Sequence, residues 1–283
     1  MIFLMILSVC STVLNNALRN YVGKSFSNTS IAVKKFQLCS FLVCFLVFAV
    51  FACFESFSFF SLLLGILFGI MIYASTHFQI LALSNGPMHI TVLITTSSML
   101  IPTLSGCVFF DETFSVYKLI AVFLLIGFLY LASSQEHGAK VNKRWVIFCA
   151  LAFFGTGLVG VLQKVHQSSA YREEFYLFLA SAFFISILLT FSEKREKKIS
   201  EKLPKKLYAV ALVSGVCVFA MYAINTKLSG KLPSQLFFPL INGSNVVFSS
   251  VVSCFVFKEK MSMKQLVGVA GSLLSLILIC IFP

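Results

Sequence analysis

Polar side chains embedded in long apolar runs are the residues of this sequence with the means to do chemistry. Asn15 and Asn16 sit in the first run, and Tyr73, Ser75, Thr76, His77 and Gln79 crowd the third. The fourth holds Thr95, Thr96, Ser97 and Ser98, one turn before Pro102. Gln163 and Lys164 end the sixth run, and Tyr222, Asn225 and Lys227 lie in the eighth. The ninth carries Pro239, Asn242, Ser244 and Asn245. Such groups are costly in hydrocarbon unless they face a bundle interior or a wet path. Amides, hydroxyls, a phenol and an imidazole converging there would hold a small polar solute by hydrogen bonds.

Each group also has a plainer use. Ser and Thr in apolar helices commonly bond to their own backbone and let helices approach. For Gln79, Asn242 and Asn245 the solute-binding and the interhelical readings both stand. His77 could take up a proton near neutral pH and couple solute movement to a proton gradient, or it could hold two helices together. Lys164 and Lys227 could meet an anionic solute group, or they could snorkel to the interface. Pro102 and Pro239 each remove a backbone bond, and such breaks in transporter helices commonly face the solute path.

Several chemistries are excluded. All ten acidic residues lie between apolar runs or at their edges, so no mid-membrane carboxylate offers itself to a strongly cationic solute. H-E-x-x-H, C-x-x-C and Walker-type phosphate loops are absent, so no hydrolase, metal or nucleotide chemistry is expected, and no cofactor. The nine cysteines fall mostly within apolar runs and read as small buried hydrophobes.

The elements that must position these groups follow from composition. Apolar residues make up 59% of 283 positions, charged residues 11%, and Phe alone contributes 33. A soluble domain cannot cover its surface with so few charges. A spanning helix needs roughly 20 apolar residues. By that measure the spans fall at about 2–22, 31–53, 59–84, 88–110, 116–134, 144–166, 174–192, 207–228, 234–257 and 262–282. The polar N-terminal positions Asn15, Asn16 and Arg19 argue for a retained first span rather than a cleaved signal. Links are short, and the longest, 192–206, is a basic solvated loop with no folded extramembrane domain expected. The net charge of +12 sits in these links, where it orients a membrane protein. Nucleic acid is therefore not an expected partner. The bilayer and a small solute are, with a monomer as the expected state.

An internal repeat supplies the architecture. FFDETFSVYKLIAV beginning at Phe109 resembles VFKEKMSMKQLVGV beginning at Val256, ungapped and 147 residues apart. Glu112 matches Glu259, Leu119 matches Leu266, Thr95 matches Asn242 and Ser97 matches Ser244. The copies lie in the links between spans 4 and 5 and between spans 9 and 10, so the repeating unit is five helices. Because five is odd, the second copy enters the bilayer from the opposite side, giving an inverted pair. The expected fold is an all-α integral membrane protein. Its ten transmembrane helices form two inverted five-helix repeats, 1–137 and 138–283, around a central cavity.

The residues Asp111-Glu112-Thr113 to Gly127, and Lys258-Glu259-Lys260 through Gly268 to Gly271, resemble the drug/metabolite transporter superfamily, EamA type. Lys34-Lys35 opening span 2 and Ala82-Leu83 ending span 3 are further echoes. The likeness covers nearly the whole chain. It departs from the family in having Ala121 where the second copy has Gly268, and in the displaced Pro239. The resemblance implies secondary, ATP-independent movement of small organic metabolites by alternating access, as export or exchange, across the plasma (cell inner) membrane. A polytopic accessory subunit or an intramembrane enzyme remains the alternative. Lys and Arg divide as 17 of the 22 on the face of links 1–2, 5–6, 7–8 and 9–10, which places both termini outside. The resemblance implies both termini inside.

Overall fold

The computed structural model describes residues 1–25, 30–85, 88–112, 115–133, 143–192, 205–257 and 262–281. Thr113, the Lys258-Glu259-Lys260 turn, most of the basic 192–206 link and the boundary at 137/138 lie outside the described residues. The rest is helical: α1 (Ile2–Ser25), α2 (Ser30–Ala52), α3 (Phe59–Asn85), α4 (Met88–Ser97), α5 (Leu100–Phe109) and α6 (Val116–Ser133) come first. They are followed by α7 (Lys143–Ser168), α8 (Phe175–Ser192), α9 (Lys205–Ser229), α10 (Ser234–Phe257) and α11 (Met263–Ile281).

Eight helices are long and apolar enough to cross a membrane, and the apolar stretches Ile94–Phe109 and Val116–Ala132 are shorter. Span 4 is thus α4 followed by α5, divided at Ser98–Met99, and ten crossings result. Large apolar side chains such as Phe3, Phe59, Phe109, Phe123 and Leu274 stand largely exposed. Lipid is the solvent that accepts them, and the chain is an integral membrane protein.

The sequence places both prolines at helix breaks, and the structure treats them differently. Pro102 follows the α4–α5 division, where Ile101 N–H bonds to the Ser98 carbonyl 3.0 Å away. Pro239 lies inside α10, which continues through it, so the expected second break is absent. The reason is position. Pro239 is in the second turn, and its missing N–H would have reached only the Gln235 carbonyl of the first turn.

The chain forms two compact units, each drawing helices from both halves of the sequence. One comprises Met1–Tyr73 with Ser169–Lys227, the other Ala74–Ser168 with Leu228–Pro283. In the first unit α2 packs on α8, its counterpart at the repeat offset. Phe41 meets Phe183 at 5.6 Å, whereas Phe51, about three turns further on, meets Tyr176 at 4.9 Å. Residue numbers rise on one helix as they fall on the other, so the pair is antiparallel. Gly65 and Gly69 of α3 lie against α8, where a Cβ on Gly69 would collide with the Ala182 carbonyl. The Ser186 hydroxyl donates to the Gly69 carbonyl at 3.0 Å through the same gap.

In the second unit α6 packs on α11 and α5 on α10, again counterparts. A Cβ on Gly268 would strike the backbone of Ala132, and one on Gly271 the Phe128 ring, so this pair too is antiparallel. On α5 and α10, Cys107 meets Gln235 while Met99 shares a core with Val247. Gly155, Gly157 and Gly160 of α7 admit Ser75, Ile101 and Pro102 respectively. Small residues let backbones approach, and dispersion rather than water exclusion holds such contacts in lipid.

Candidate solute site

In the first unit the amides of α1 and α9 are each bonded to a serine across the helix pair. Ser214 donates to the Asn15 Oδ1 at 2.7 Å, and Ser8 donates to the Asn225 Oδ1 at 2.5 Å. Asn15 is buried and Asn16 half-buried on the same helix. Tyr222 of α9 presents its ring edge-on to Phe68 at 6.0 Å and Phe183 at 5.3 Å. Tyr73 stands half-buried at the end of this unit's share of α3. Asn15, Asn225 and Tyr222 thus form one polar and aromatic strip from three of the side chains that the sequence singles out. The two serines are the members sequence reading misses, since serine is common in apolar helices and carries no distinguishing signal.

Lys227 lies two residues beyond Asn225, on another face of α9. Its ammonium lies 4.3 Å from the Phe175 ring centre and 5.7 Å from that of Tyr176, a cation–π seat. It is an exposed residue, as a snorkelling lysine is. Nearby, the turn between α2 and α3 caps α8. Glu55 accepts the Leu177 N–H at 2.9 Å, and Glu174 accepts the hydroxyls of Ser56, at 2.9 Å, and Ser58. Helix N-termini favour such carboxylates. Burial pushes the Glu55 carboxyl up from its ordinary value, opposed by the N–H groups of Leu177 and Tyr176.

In the second unit Gln79 of α3 and Thr95 of α4 come together, with the amide donating to Thr95 Oγ1 at 3.3 Å. Thr95 and Ser98 also bond to their own helix, at Thr91 O (3.0 Å) and Thr95 O (2.6 Å). Thr91 accepts from the Trp145 indole at 2.9 Å. On α10, Asn242 donates to the Phe238 carbonyl at 2.9 Å and Asn245 accepts from Ser249 at 3.3 Å. His77 is half-buried, its ring 5.6 Å from that of Phe78. The sequence makes it the one histidine deep in a span, yet among the described residues His166 of α7 is the fully buried one. His166 sits at the expected end of span 6, where length alone does not distinguish buried from wet.

Lys164 occupies a different setting from an open anion contact. Its Nζ is 2.7 Å from Glu112 Oε1 and 3.0 Å from the Leu232 carbonyl. Glu112 in turn accepts the Ser234 N–H at 2.7 Å and the Ser234 hydroxyl at 3.1 Å. Gln163 beside it is buried. Among the described residues no buried side-chain nitrogen or oxygen lacks a hydrogen-bond partner, and no His, Cys, Asp and Glu cluster could hold a metal.

Residues 143–281 match the EamA-like transporter family. No curated protein matches the chain. A crystal structure of a protein superposes with a TM-score of 0.76, covering 98% of each chain at 12% identity, and it shows the shared fold. The segment 143–281, α7 to α11, is thus of the EamA-like transporter family, of the drug/metabolite transporter type, and α2, α5 and α6 of the first half pack antiparallel on its α8, α10 and α11.

Proposed function

We propose that the protein is a secondary transporter that exports or exchanges amino-acid-like or other small polar solutes, without ATP, by alternating access. The observation that carries this reading is the antiparallel packing of helices equivalent at the 147-residue offset. Duplicated helices related by an axis along the membrane normal would lie parallel. An axis in the membrane plane makes them antiparallel, and it makes opening at one face equivalent to opening at the other. The repeats divide as 1–137 and 138–283, and the plasma membrane is the proposed location.

The solute contacts in this reading are the polar and aromatic side chains of α1, α3, α4 with the turn after it, α7, α9 and α10. Asn15, Asn16, Asn225, Tyr73 and Tyr222 supply one set, and His77, Gln79, Thr95, Ser98, Gln163, Asn242 and Asn245 the other. Their neutrality supports zwitterionic or uncharged solutes over strong cations. His77 is the proposed proton-coupling group.

Purified protein in liposomes, loaded with a panel of amino acids and nucleosides, tests the reading. Saturable counterflow of at least one solute is expected, with altered metabolite pools in cells lacking the protein. No counterflow across the panel, with unchanged pools, would overturn it and favour an accessory subunit.

A further inference from the structure

We propose that the Lys164–Glu112 ion pair is a latch that opens and closes in each cycle of the transport proposed above, on which this role rests. The pair joins three segments at one end of the second unit: the end of α7, the α5–α6 turn, and the 230–234 turn that begins α10. The two side chains are 8% and 14% exposed. The other ion pair among the described residues, Arg172–Glu173, is 67% and 88% exposed.

The site is built around the carboxylate. Asp111 adopts a φ of 50°, a left-handed conformation that asparagine and aspartate tolerate best. That turn brings the Glu112 N–H to the Gly106 carbonyl at 3.2 Å and directs the side chain toward α10. Gly106 leaves the room it needs, because a Cβ there would collide with Glu112 Oε2. The carboxylate then sits on the α10 N-terminus, where helix N–H groups and dipole favour it. Lys164 completes the arrangement, with Phe110 5.9 Å from its ammonium.

As a permanent staple this is a poor choice. Removing two charges from water is costly, and well-packed apolar replacements commonly hold as well or better. The same unit has a permanent joint of the better kind, the close backbone contact of α6 with α11 at Gly268. An ion pair differs from that joint in one property. When it parts toward water, each of its groups regains solvent, so the closed and open states differ little in free energy. A reversible joint needs that small gap.

Ketone-directed spin labels at Ser168, the exposed end of α7, and Val116, the exposed start of α6, leave the native cysteines untouched. In the wild type two distance populations are expected. Glu112→Gln and Lys164→Met should each move the ratio at least tenfold toward the longer one. The double variant should move it no further, because each change breaks the same bond. A single distance in the wild type, or the same ratio in all variants, would overturn the latch, and Lys164→Met suffices if Glu112→Gln does not fold. The measurement needs no solute. Counterflow with unmoved distances would therefore sink the latch alone, and moving distances without counterflow would sink the transport reading and, with it, any place for the pair in a transport cycle. Glu112→Cys with Lys164→Cys, tethered by a reducible bifunctional thiosulfonate in a chain whose native cysteines are changed to serine or alanine, separates latch from staple. A latch loses at least tenfold in wild-type counterflow until reduced, whereas a staple loses nothing.

Discussion

Gly268 and Ala121 occupy matched positions in the two copies, and the structure explains why only one is glycine. At Gly268 the backbone of Leu131 and Ala132 stands where a Cβ would be, whereas Ala121, 1% exposed, keeps its methyl in the α6–α11 core. Overpacking of this kind typically costs about 1–3 kcal/mol. Gly268→Ala should therefore lower the unfolding temperature in detergent, and Gly268→Leu should lower it further. Gly127→Ala, with open space around it, should leave it unchanged. Glu55 offers a pH test. Its carboxyl is raised by burial, so the native state holds that proton more tightly than the unfolded chain does. The stability tied to it is full below the ordinary carboxylate range and is lost as pH rises through the raised value. The unfolding temperature of Glu55→Gln should thus gain on the wild type over the pH range just above the ordinary carboxylate value. A constant difference over that range would contradict the assignment.

Among the elements, span lengths were legible because hydrocarbon thickness is itself a ruler, and nine of ten spans appear as single helices close to the expected bounds. The fourth divides, and a rule of proline as breaker anticipates that division but fails at Pro239. What decides is distance from the helix start, a quantity that needs the observed α10 N-terminus at Ser234. The same limit hides the latch. Glu112 and Lys164 are 52 residues apart in sequence, and no periodicity links an acidic turn to a lysine two helices later. Likewise nothing in sequence assigns Ser214 to Asn15 or Ser8 to Asn225. The α4–α5 division carries its own prediction. Pro102→Ala restores an N–H that can reach the Ser98 carbonyl, favouring one continuous helix. Unfolding temperature should hold or rise, while counterflow should fall severalfold. Unchanged counterflow would make the division a packing accident rather than a moving part.

For the whole molecule, ten crossings put both termini on one face, and charge decides which. Seventeen of 22 Lys and Arg fall on the face away from the termini, five on the other. Basic residues in short loops near span ends are the ones that resist crossing, so the basic face should remain inside and both termini should lie outside. Family likeness implies the reverse. Reporters active on one side only, fused after residue 283 and inserted in the 192–206 link, separate the two. The link reporter should read inside and the terminal one outside. Changing the neutral residues of the links between spans 6 and 7 and between spans 8 and 9 to lysine, one after another, should then erode that orientation progressively. A terminal reporter that reads inside at the outset would mean that helix packing, rather than the charge of the links, sets how this chain enters the bilayer.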